Sequence, residues 1–180
     1  MKWTEHAIRD RVMSPIRSCF TFLRSLPIFR SSTEGKIEMN QTVANEIFDD
    51  KKFIVDDVLW SKDPYREAYF VFEETLFCNQ LKLKLVGSAN LSAASVSFTI
   101  VHPNEGRVYG LDHGSDGHKN LRGIGNVGSL HKHKWKPEDP NWAYAPDDIT
   151  AEATDIKNVW KQFCVEANIC HFGDFFEPRG

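Results

Sequence analysis

The feature that most constrains this chain is a strict two-residue alternation in its middle. Leu81, Leu83 and Leu85 alternate with Lys82, Lys84 and Val86, and Ala94, Val96, Phe98 and Ile100 alternate with Ser95, Ser97 and Thr99. Successive side chains of an extended chain point to opposite sides, so each run reads as a strand with one apolar face to bury. An aromatic and β-branched run, 69–73, precedes them. A tight turn at Asn104-Glu105-Gly106 leads into a further strand over 107–112. Connections this short favour antiparallel neighbours. Residues 66–136 are therefore expected to form an antiparallel meander, interrupted by a long loop over 113–130 that carries Gly114, Gly117, Gly123, Gly125 and Gly128.

A different period follows. Ile149, Ala153, Ile156, Trp160, Phe163 and Ala167 fall on one helical stripe, which predicts a helix over 149–167 with Asp148 as N-cap and with Glu152 and Asp155 near the positive end of its dipole. At the other end, Ile8, Val12 and Ile16 lie four residues apart and Phe20, Leu23 and Leu26 continue the stripe. That predicts a helical N-terminal arm over 1–30, divided by Pro15, ended by Pro27 and lined by Arg9, Arg11, Arg17, Arg24 and Arg30. Shorter elements are a helix over 41–50, a strand over 53–59 and a turn over 60–66. The expected fold class is α+β: a single domain over 1–180, its antiparallel sheet flanked by N- and C-terminal helices.

Composition narrows the function. With 180 residues, 41% of them hydrophobic, the chain can bury a real core. A formal net charge of -3 excludes a generic nucleic-acid binder by bulk charge. Cys19, Cys78, Cys164 and Cys170 lack CxxC spacing and are expected to be reduced thiols. Arg17, Arg24 and Pro27 interrupt the most apolar N-terminal stretch, so no membrane span and no secretory signal are expected, and the location expected is cytoplasmic.

The anomaly is histidine. Four of the seven lie between 113 and 133: His113, His118, His131 and His133. On a strand, His131, His133 and Trp135 share one face, and Lys132, Lys134 and Lys136 share the other. Between Asp116 and Glu138 no acid occurs, whereas Lys119, Arg122, Lys132, Lys134 and Lys136 do, a local cationic patch. Two same-face imidazoles can divide general-base and general-acid roles, and nearby cations can stabilise a phosphorane-like transition state. That suits metal-independent RNA cleavage, with His131 and His133 as acid and base, Asp112 orienting an imidazole, and Arg122, Lys119 and Lys132 on phosphate. No cofactor is needed for it. The same residues allow two other readings: a divalent transition metal held by Asp112, His131 and His133, or a non-catalytic phage- or defence-related interaction module using the glycine loop and the basic arm. Histidines serving only solubility or hydrogen bonding are the plain alternative.

Two resemblances bear on this choice. Gly125, His131, His133 and Glu138 resemble the first cupin motif over some 14 residues, which would imply a metal. Ala145 stands where that motif closes on glycine, and no second motif follows. Over 107–170, the order Tyr109-x-x-Asp112, glycine-rich loop, His131-x-His133, Trp142-Ala-Tyr144 and a helix ending Phe163…Asn168-Ile169 resembles TumE-like proteins of bacterial and phage-borne toxin–antitoxin loci. That resemblance implies a toxin-like or defence-related protein, an RNA substrate and an antitoxin-like protein partner.

Overall fold

The computed structural model describes residues 39–79, 81–121 and 125–179, which belong to one compact unit, 37–180. The helical arm expected over 1–30, with its arginines and Cys19, lies outside the described residues.

The alternating runs become the centre of the sheet. Strands β1 (Lys52–Ile54), β2 (Ser61–Lys62), β3 (Tyr69–Cys78), β4 (Leu81–Asn90), β5 (Ser95–His102), β6 (Gly106–His113), β7 (His118–Lys119), β8 (Asn126–Val127), β9 (Leu130–Lys134), β10 (Ala143–Tyr144) and β11 (Ile169–His171) accompany helices α1 (Gln41–Asp49) and α2 (Ile156–Glu166). The main sheet has the order β10-β9-β6-β5-β4-β3-β1-β11, with β2 also on β3, while β7 and β8 form a separate pair. As the short turns require, β3 to β6 is an antiparallel meander. The sheet is nonetheless mixed, because β11 pairs in parallel with β1.

Register assigns each side chain to a face. Leu76, Leu83, Leu85, Val96, Phe98, Ile100, Tyr109 and Leu111 share one face and join Ala44 and Ile47 of α1 and Ile156, Val159, Trp160 and Phe163 of α2 in a single buried cluster. Trp160 meets Phe98 edge-on at 5.2 Å, and Phe48 of α1 meets Tyr109 at 4.9 Å. Both described helices therefore pack on this face and do not bracket the sheet. Gly87 sits opposite Phe72; a Cβ there would lie 2.0 Å from the phenyl ring, so the missing side chain is where that ring rests.

The C-terminal stripe is buried as expected, yet only its second half is helical. Ile149 and Ala153 lie in non-helical chain. Asp155, not Asp148, caps α2, accepting from the Asn158 backbone N–H. An Asp followed by uncapped backbone donors can start a helix anywhere along an apolar stripe. Here Gln162 accepts from the Thr150 and Ala151 backbone N–H groups and donates to the Thr150 hydroxyl, which holds 149–151 as a strap across α2. Asp148 is instead drawn to Lys132. Cys78 and Cys164 are buried thiols, and no helix among the described residues is long and apolar enough to cross a membrane.

Candidate functional site

The opposite face of the sheet carries the histidines. Asp112 on β6 pairs directly with His131 on β9, and His133 pairs with Gly110. The same-face rule for His131 and His133 holds, and Lys132 and Lys134 fall on the helix face beside Leu111 and Tyr109. The strand ends at Lys134, and Trp135 turns to pack against the core instead of joining the histidines.

His131 and His133 are each 2% exposed, and backbone carbonyls hold their Nδ1 atoms. His131 Nδ1 is 2.8 Å from the Gly128 carbonyl, and His133 Nδ1 is 2.9 Å from the Asn141 carbonyl. A carbonyl oxygen only accepts, so Nδ1 carries the proton in both rings. In a neutral ring Nε2 is then a bare lone pair. Both Nε2 atoms face the same carboxylate oxygen, Asp112 Oδ2, at 3.0 Å from His133 and 3.5 Å from His131. Three acceptors thus converge, and a positive charge must lie among them: protons on the rings, or a cation.

The charge balance shows the same pull. Burial disfavours the Asp112 carboxylate, but bonds from His131, His133 and Ser97 and the nearby Arg107 charge outweigh it and hold the group well below the usual carboxylate range. The bond to Asp112, opposed by burial, pushes His131 up.

A third imidazole arrives from the loop. Within the segment expected to be a long glycine-bearing loop, β7 pairs antiparallel with β8, held by side chains that mimic backbone. Asn120 donates to the Ala143 carbonyl and accepts from its N–H, and Asp139 accepts from the Leu121 N–H. This brings His118 to 4.9 Å from His133 and 5.7 Å from His131, ring centre to ring centre. Burial, then the neighbouring His133 and His131, lower the His118 pKa. A nitrogen of each of the three rings lies within 4.8 Å of the others. Four-coordinate zinc with bonds of about 2.1 Å separates its ligands by about 3.4 Å, close to the Asp112–imidazole spacings.

The expected cationic patch does not form on this face. Lys132 is fully buried and donates to both oxygens of Asp148, at 2.5 and 2.6 Å, and to Glu166. It is withdrawn from phosphate because its strand position points into the core. Lys134 lies 3.5 Å over the Phe48 ring and Lys136 3.3 Å over Trp142. Lys119 is exposed on the hairpin, and Arg122 lies outside the described residues. Glu138, the acid of the cupin-like spacing, is exposed and does not join the group formed by the three imidazoles. His113 belongs to the helix face and bonds to the Ala151 carbonyl.

Arg107 joins the site without having been expected there. Its Nη1 is 3.6 Å from Asp112 Oδ2. The clustering of histidines could have flagged His118; strict alternation assigns Arg107 to the face of Tyr109. Comparison with family models, with curated proteins and with solved structures gives no match, so the site is read from its geometry.

Proposed function

We propose that the chain is a metal-dependent enzyme whose centre is a divalent transition metal held by His118, His131 and His133, with Asp112 beside the His131 and His133 rings and a fourth position left for water or substrate. One observation carries the reading: two buried imidazoles are fixed through Nδ1 by backbone carbonyls so that both Nε2 atoms converge on one point beside Asp112. Metal-binding histidines commonly donate their other N–H to a carbonyl in this way, which fixes the ring and raises its basicity. A metal in such a site supplies a Lewis acid and an activated water, the chemistry of hydrolysis. The geometry favours this over a metal-free acid–base pair. General catalysis needs a ring nitrogen itself within hydrogen-bond reach of the substrate, and His131 and His133 are each 2% exposed; a metal on them would instead be reached past the part-exposed His118 and Arg107.

Elemental analysis of purified protein should find close to one equivalent of zinc, iron or manganese. Chelation should lower the melting temperature, since a ligand at 100 times its Kd stabilises by about 2.7 kcal/mol. His131→Ala and His133→Ala should each bring metal to background while far-ultraviolet circular dichroism stays native. Protein that is metal-free as purified, and whose melting responds neither to chelator nor to added zinc or manganese, sinks the reading.

A further inference from the structure

One charged side chain on the histidine face makes no bond of ordinary length there. Arg107 reaches it through a register shift. Ile100 pairs with Tyr109, but Val101 pairs with Arg107, so Val108 is the extra residue of a β-bulge. Without the bulge, Arg107 would share the face of Tyr109 and enter the core. A bulge re-aims a side chain in this way, and such bulges are over-represented next to active sites. The arginine stem then crosses Gly110, where an added Cβ would stand 3.7 Å from Arg107 Cδ and 3.2 Å from the Phe98 carbonyl. Its side chain is 31% exposed, and its 3.6 Å separation from Asp112 is longer than a hydrogen bond. The guanidinium is therefore held at the rim with donors to spare.

A fixed cation beside three imidazoles is a poor neighbour for a metal ion unless an anion comes between them. Neutral imidazole ligands bring no charge, and Asp112 brings one negative charge. Among the described residues, the carboxylate that acts on His118 is Asp139, whose oxygens are taken by the Leu121 and Asn141 backbone N–H groups. A dication plus a guanidinium exceeds these two carboxylates. Resting on the metal reading above, we propose that Arg107 and the metal form a two-point site for a substrate oxyanion, one oxygen on the metal and another on the guanidinium fork. The substrate class is a phosphoryl or carboxylate compound. The planar fork of arginine matches either group, with two parallel N–H donors.

The test titrates inorganic phosphate, and acetate in a separate arm, into zinc-loaded protein by calorimetry, with metal content measured on every sample. Loaded wild type should bind one of the two anions at least tenfold more tightly than metal-free protein does; which one it is assigns the phosphoryl or the carboxylate source. Arg107→Met should weaken that binding at least tenfold with metal content unchanged, and Arg107→Lys should retain part of it. Equal anion affinity in Arg107→Met and wild type, both fully loaded, overturns the proposal and leaves the metal reading standing. So does loaded wild type that binds neither anion, or binds no better than metal-free protein, a comparison that needs no variant to fold. Wild type that takes up no zinc ends the metal reading and this inference with it.

Discussion

Lys132 and its neighbours His131 and His133 are all buried, one residue apart, on opposite faces of the same strand. On the helix face, the buried ammonium is matched by carboxylates. The Lys132 ammonium is met by Asp148 and Glu166, and Glu166 also accepts from the Tyr109 and Tyr144 hydroxyls. On the histidine face, the His131 and His133 Nε2 atoms and the Arg107 guanidinium all converge on the single Asp112 carboxylate. A buried polar group normally finds its partner. That convergence on one carboxylate marks the candidate site better than residue type does, since lysines and carboxylates occur on both faces.

The largest test of the contrast is on the helix face. Trp160 is 3% exposed and touches Phe72, Phe98 and Phe163, so Trp160→Ala should cost about 3–5 kcal/mol, lost burial plus a cavity. Chemical denaturation measures it; an unchanged midpoint would remove the helix-on-sheet core. Lys132→Met should cost less than the roughly 3–5 kcal/mol of breaking a fully buried pair, because Asp148 and Glu166 side chains are 40% and 24% exposed and can be solvated. Its metal content should match wild type, as the lysine faces away from the imidazoles. Loss of metal without loss of stability would break the separation of the two faces. The smallest effect is expected from Asn120→Ala, which removes two hydrogen bonds to Ala143. It should cost about 1–3 kcal/mol and weaken metal binding roughly 10–100-fold by loosening the hairpin under His118. Equilibrium metal competition would show this, and an unaltered affinity would take His118 out of the centre.

Much of this architecture is local and was legible. The alternation at 81–86 and 94–100 fixes which side chains share a face, and the same two-residue rule separates His131 and His133 from Lys132. The turn at 104–106 makes the meander, and the stripe from Ile149 to Ala167 is buried throughout. A period reports a local geometry, and neighbouring side chains obey it whatever the rest of the chain does. The same rule misled at two places. At Arg107 one inserted residue reverses the faces, and at Trp135 the strand has already ended.

What tertiary structure alone decided depends on partners distant in sequence. The apolar stripe does not say where the helix begins; Asp155 and the Gln162 strap do. Composition counts Lys132, Lys134 and Lys136 as a cationic patch, but a carboxylate pair and two aromatic rings dispose of them. Four histidines within 21 residues announce a site, yet His118 enters it because Asn120 borrows the backbone of Ala143, and His113 is left out because its strand position faces α2. Arg107 reaches Asp112 because the β5–β6 register slips at Val108. Each of these is a contact whose free energy depends on residues far along the chain. No window of sequence contains both sides of it.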